Sequence, residues 1–201
     1  QMGKDKNIKT KCPYTNFKQK ILDYIGILRT PREEFGGMAA CPFVGPELDK
    51  GKLMIETFDP FKESLIEKIQ QFDKTEYDSA LFVQITEEEL TANDTRAYQN
   101  FINKQMKKHG IVHLKAICFN PNDIHDVEGF NARSYAPYFL INIANAKVLA
   151  KTHKALLNSK YFNKFSKEYL DFLLVNVDSL TYPPYKKLLD GRTSGSKDLD
   201  N

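Results

Sequence analysis

Apolar and polar positions follow two different rhythms along this chain. Over 16–28 the apolar residues Phe17, Ile21, Tyr24, Ile25 and Leu28 recur every three or four positions, the spacing of one helix face. The segments KLMIETF (52–58), ALFVQI (80–85) and IVHLKAICF (111–119) are short and apolar, with β-branched and aromatic residues, and predict three strands. A helix signal follows each. Asp59-Pro60 caps and opens a helix over 61–72; Thr86-Glu87-Glu88-Glu89 forms a capping box for a helix to about His109, which Gly110 stops. Pro137 marks the first turn of a helix over 138–158, and a last helix covers about 162–175.

Strands that alternate with helices predict an α/β domain: a small, mainly parallel three- to four-stranded sheet with flanking helices and a helical C-terminal part. The expected domain spans 13–190, between a polar arm at 1–12 and a polar tail at 191–201. The segment VNVDSLTYPPY predicts a short extra strand. Ligands of such sheets bind beyond the carboxyl ends of the strands, here Phe58-Asp59, Ile85-Thr86 and Phe119-Asn120.

Two loops at these ends concentrate the candidate chemistry. The first, TPREEFGGMAACPFVGPELDKG, holds Cys41 among glycines and prolines. A thiol reacts only as thiolate, which needs a cation, a helix N-terminus or a metal beside it. Cys41 therefore reads either as a nucleophile or as a small hydrophobe packed by Met38, Phe43 and Val44. The second loop, FNPNDIHDVEGFNARSYAP (119–137), gathers Asp123, His125, Asp126, Asn131, Arg133 and Ser134. His125 fits a general base oriented by Asp123 or Asp126. Arg133 and Ser134, just ahead of the helix expected at Pro137, fit an anion site at a helix N-terminus, or else a simple N-cap with a salt-bridged arginine. Cys118 in the third strand reads as core, and His113 and His153 read as structural or solvent-facing. The aromatic run YFNKFSKEYLDFLL reads as a core-facing helix.

Composition narrows the classes. The chain has 201 residues, 41% hydrophobic and 27% charged, which fits one packed domain. A net charge of +3 on 29 basic residues, dispersed among acidic ones, argues against nucleic acid as a partner. Three cysteines without CxxC or His/Cys spacing argue against a zinc site and fit free thiols in a reducing cytoplasm. No apolar run has the length of a membrane span. GxGxxG, Walker, GxSxG and HExxH motifs are all missing, which weighs against the common nucleotide and hydrolase classes; no metal site is expected and the sequence names no particular cofactor.

The segments ACPF (40–43), FNP (119–121) and NARSYAP (131–137), followed by an apolar helix, resemble a bacterial family of unknown function, number 1415 of the domains of unknown function. That family has Cys-Pro-Phe after an N-terminal helix, Phe-His-Pro after a strand and Asn-Arg-Ser-Pro-Tyr-Pro before a helix. The resemblance spans roughly 17–157 and implies that Cys41, Pro121, Asn131, Arg133 and Ser134 hold motif positions. Asn120 stands where the family has histidine, and Tyr135-Ala136 where it has Pro-Tyr. It supplies positions and no chemistry.

Two functional expectations follow. One is an enzyme or binding protein for a small anionic ligand, a carboxylate or phosphate. Arg133, Asn131, Ser134 and Asp123 would hold the ligand, and Cys41 or His125 would do any proton or nucleophile work. The other is a non-catalytic interaction module, such as a homodimer formed through the aromatic C-terminal helix. The first requires the Cys41 loop and the 120–134 loop to meet in space.

Overall fold

The computed structural model describes residues 16–85 and 90–174. Helix α1 (Phe17–Arg29) leads into a two-residue hairpin, β1 (Pro31–Arg32) with β2 (Met38–Ala39), and a short helix α2 (Val44–Asp49). Strand β3 (Leu53–Phe58), helix α3 (Leu65–Phe72), strand β4 (Ser79–Gln84), helix α4 (Ala92–Lys108) and strand β5 (Leu114–Phe119) follow. The chain then runs through a long loop to strand β6 (Leu140–Asn145), α5 (Ala146–Leu157) and α6 (Lys167–Leu174).

The four longer strands form one mixed sheet in the order β3-β4-β6-β5. Only β3 and β4 pair in parallel; β6 pairs antiparallel with β4 on one side and with β5 on the other. The expected mainly parallel sheet is therefore corrected to a mostly antiparallel one. The difference arises at LINIAN (140–145), expected inside a helix over 138–158, which forms the inner strand β6 instead. An apolar run this short does not separate strand from helix by its period, and Pro137 just ahead of it is a helix-start signal. Asn145 ends the strand and caps α5, its side chain accepting from the N–H groups of Lys147 at 2.9 Å and Val148 at 3.3 Å.

Because two antiparallel steps restore direction, β5 points the same way as β3 and β4. The three strands expected from the sequence thus end at one edge, and the 120–139 loop leaves and re-enters the sheet there.

Other starts shift. Helix α3 begins at Leu65 behind the N-cap Ser64, and Asp59 only caps a turn, leaving Phe61 86% exposed. Helix α4 begins at Ala92, with a capping box between Thr91 and Asp94. The residues at 86–89, the arm at 1–12, Val175, the VNVDSLTYPPY segment and the tail at 191–201 lie outside the described residues.

Alternation along the strands builds two cores. One face sets Ala80, Phe82, Ala116, Cys118, Ile141 and Ile143 against Ile69 and Phe72 of α3 and Ile102 and Met106 of α4. The other sets Leu53, Leu81, Val83 and Leu140 against Ile21, Tyr24, Ile25 and Leu28 of α1. A third cluster joins Phe35, Val127 and Phe130 to Leu156, Tyr161, Phe162, Phe165 and Leu170. The aromatic run near the C-terminus is buried in this cluster, although its helix starts only at Lys167. Side chains of α4 also reach the outer side of β5. Asn103 exchanges hydrogen bonds with both backbone groups of Ala116 at 2.9 Å, and Gln99 accepts from the Cys118 N–H at 2.8 Å. These contacts occupy an edge that would otherwise offer unpaired backbone groups.

Candidate functional site

The Cys41 loop is held from both sides. The Cys41 N–H donates to the Leu28 carbonyl at 3.0 Å, at the end of α1, and the Tyr161 hydroxyl donates to the Ala40 carbonyl. Arg29 grips Asp49 through two nitrogens at 3.0 and 2.7 Å, which ties α2 back onto α1. In the hairpin turn Gly36 has φ 64°, and a Cβ there would lie 2.7 Å from Lys160 Cβ; only glycine permits this approach. The loop is thereby laid across the second face of the sheet, with Phe43 edge-on to His153 of α5 at 5.4 Å between ring centres.

The 120–139 loop is organised around a buried carboxylate. The Asp123 side chain, 1% exposed, accepts from Arg133 Nη1 at 2.7 Å. Its other oxygen lies 2.6 Å from His125 Nδ1 and accepts the His125 N–H at 2.9 Å. Burial pushes the Asp123 carboxyl up, but the Arg133 guanidinium and the hydrogen bonds from His125 and Arg133 outweigh it and hold it below the usual carboxylate range. Asn131 pins the loop: its amide donates to the Asp123 carbonyl, and its oxygen accepts from the N–H groups of Arg133 and Ser134 at 3.1 Å.

Aromatic rings wall this pair. His125 stacks on Phe172 at 4.0 Å and on Tyr169 at 5.2 Å, both from α6. The Arg133 guanidinium, with a side chain only 14% exposed, sits over Phe119 at 5.6 Å and Phe172 at 5.7 Å. Asp123 takes one of its N–H groups; a guanidinium has five.

Cys41, His125, Arg133 and Tyr169 all line one cavity of about 180 Å³. The two loops singled out in the sequence therefore meet, some ninety residues apart along the chain. Cys41 also lines a second, wider cleft of about 590 Å³, whose walls include Tyr24 of α1, Leu81 of β4 and Asn142 and Ala144 of β6. The two share Leu28, Cys41, Pro42, Phe43, Ile117, Phe119 and Leu149, so they adjoin across the Cys41 segment as two lobes, together called the chamber below. The wider lobe runs along the sheet face from Leu140 and Phe119 to Leu114 and Asn145, and is not confined to the strand ends.

The sequence-level roles sort as follows. Arg133, His125 and Cys41 face the chamber, and Asp123 lies buried behind the first two. Asn131 is a cap, and Ser134 is exposed with its hydroxyl turned back to the Asn131 carbonyl at 2.7 Å. No helix begins at Pro137; a single 3-10 turn, Ala132–Tyr135, leads into β6, so the expected helix N-terminus beside Arg133 and Ser134 is not formed. Burial pushes the Cys41 thiol up, an effect that the N–H groups of Phe43 and Val44 and the Arg133 guanidinium offset only in part. Cys118 is fully buried in the opposite core, its thiol pushed up to about 12 by burial. Among the described residues no group of three or more His, Cys, Asp or Glu side chains could hold a metal, and no helix is long and apolar enough to cross a membrane.

Several chamber residues escaped the sequence reading. His153, expected in a structural or solvent-facing role, lines the smaller cavity and shares the α5 face of Leu149 and Leu156, a spacing legible in KVLAKTHKALL. His113 is exposed at the rim of the wider lobe and pairs with Asp73 at 2.7 Å. Tyr24 belongs to the α1 stripe and is 2% exposed, yet its hydroxyl finds no hydrogen-bond partner among the described residues. No sequence signal marks that orphan group.

Comparison with protein-family models, curated proteins and solved structures finds no match to this chain.

Proposed function

We propose that this chain binds a small molecule bearing a carboxylate or phosphate, held by Arg133 in the chamber between the Cys41 loop and the 120–134 loop. The observation that carries the reading is the placement of a guanidinium inside apolar walls, fixed by Asp123 through one nitrogen, with Cys41 and His125 on the same cavity. In such surroundings a charge-assisted hydrogen bond is stronger than in water, and planar anions suit an arginine. The few polar groups in a mostly apolar enclosure match the usual composition of small-molecule sites. The motif residues Cys41, Arg133 and Pro121 of the family resemblance fall in or beside these loops.

Binding is better supported than nucleophilic catalysis. The thiol is held as a thiol by burial and takes its hydrogen bonds from the Phe43 and Val44 N–H groups, and His125 Nδ1 faces Asp123. Isothermal titration of the full chain with benzoate, hexanoate and inorganic phosphate tests the reading. Saturable binding of at least one anion is expected, weakened about tenfold or more in Arg133→Lys, which keeps the charge beside Asp123 but loses the planar fork. Absence of binding by all three, with the chain folded by circular dichroism, overturns it.

A further inference from the structure

The wider lobe is large for an anion site. A carboxylate or phosphate held at Arg133 would fill only the smaller cavity of about 180 Å³, whereas the adjoining lobe of about 590 Å³ lies in the range of drug-sized ligand pockets. Its floor is the second face of the sheet, where Ala144 and Asn142 stand at positions whose neighbours on the same strand, Ile141 and Ile143, point the other way and are fully buried. Its walls include Ile25 and Leu28 of α1, Val44 and Pro46 of α2, and Val148 and Leu149 of α5, with the charged residues Glu47, Lys50, Asp73 and Asp78 also on the lining. The floor from Phe119 to Leu114 covers five residue steps, about 16 Å at strand rise.

Two buried polar atoms on this lobe find no hydrogen-bond partner among the described residues: the Tyr24 hydroxyl and Glu47 Oε2, whose sister oxygen pairs with Lys50 at 3.7 Å. The Tyr24 hydroxyl is buried and unbonded among the described residues, and Tyr24 lines the wider lobe together with Leu28, Cys41 and Phe119, which also line the arginine cavity. A buried hydroxyl without a hydrogen bond is destabilising. Such a group is satisfied when a ligand brings an acceptor to it.

Building on the anion-site reading above, we infer that the ligand is an amphipathic acid: its anionic head meets Arg133, its apolar body passes the Cys41–Phe43 segment into the wider lobe, and a hydroxyl or carbonyl close to the head meets the Tyr24 hydroxyl. The Cys41 segment then acts as the waist over which the body lies. Head and body are read by different walls, so each can be tested separately.

The experiment is a titration series on the full chain: acetate, butanoate, hexanoate and octanoate, with octan-1-ol and 3-hydroxyoctanoate as controls. Affinity should rise with each added methylene by roughly three- to fourfold until the lobe is filled. Acetate binding as tightly as octanoate overturns the inference and leaves the anion site standing. Octan-1-ol binding as tightly as octanoate overturns the anion site and leaves the apolar lobe standing. Absence of binding throughout overturns both.

Ala144→Phe, which projects into the lobe, should bring octanoate down to the affinity of acetate and leave acetate unchanged; an unchanged octanoate affinity overturns the placement of the body. The hydroxy acid should bind roughly three- to tenfold more tightly than octanoate, and Tyr24→Phe should erase that difference without lowering the melting temperature, because the unliganded protein loses no hydrogen bond. Equal affinities for the two acids in the unaltered chain overturn the role of Tyr24.

Discussion

The two faces of the central sheet are built from alternate residues of the same four strands, yet one is closed and the other holds a chamber. Under α3 and α4, the side chains of Ala80, Phe82, Ala116, Cys118, Ile141 and Ile143 are completely buried. Under α1, α2 and α5, Leu81, Val83 and Leu140 are sealed, but Lys115, Ile117, Asn142 and Ala144 stay partly open and line the lobes. The closed face is a packing solution. On the open face, small and polar residues interrupt the fill, and the space is bordered by a buried ion pair and by Tyr24, whose hydroxyl has no hydrogen-bond partner among the described residues. A gap of this kind sacrifices apolar burial beside an arginine that is itself costly to enclose, and the proposed ligand would occupy it.

The largest expected effect lies on the open side. Asp123→Asn leaves Arg133 enclosed without its counter-charge and should cost about 3–5 kcal/mol, measured by urea unfolding. A loss below about 1 kcal/mol would mean that water already solvates the guanidinium. The same residue sets an acid limb. Its carboxyl is depressed in the folded state, so its stabilisation is fully present above the unfolded value of about 3.9 and is lost as pH falls through the lower folded value. Melting temperatures from pH 5 to 2 should therefore fall less steeply in Asp123→Asn than in the unaltered chain.

The contrast between faces can be broken directly by the same enlargement on each. Ala116→Leu intrudes on a filled core and should cost about 1–3 kcal/mol. Ala144→Leu enters the chamber and should cost under about 0.5 kcal/mol or add stability. Equal costs would show that the faces are equally packed.

The smallest effects are on reactivity. In a Cys12→Ser background at pH 8, iodoacetamide should modify Cys41 more slowly than a free thiol, and Cys118 only on unfolding. Rapid alkylation of Cys41 at pH 6 would mean that a thiolate survives beside Arg133, and would reopen nucleophilic catalysis.

The sequence by itself determined the local elements whose pattern is one-sided. The α1 stripe, the three strands that end at one edge and the aromatic C-terminal cluster were all legible, because each carries a clean period or a strong apolar run. It also marked the two loops, since glycines, prolines and clustered polar groups are rare inside elements. What it left open depended on neighbours. The β6 strand was hidden because its apolar run is too short to separate from a helix by period and follows Pro137, a helix-start signal, and the direction of its pairing has no local signal. The anion site expected at a helix N-terminus vanished with that helix. Only the tertiary structure brought Cys41 to Arg133, buried Asp123 between Arg133 and His125, and stranded the Tyr24 hydroxyl. Burial, pairing and unfilled space arise from what lies opposite a side chain, and no stretch of sequence carries its own opposite.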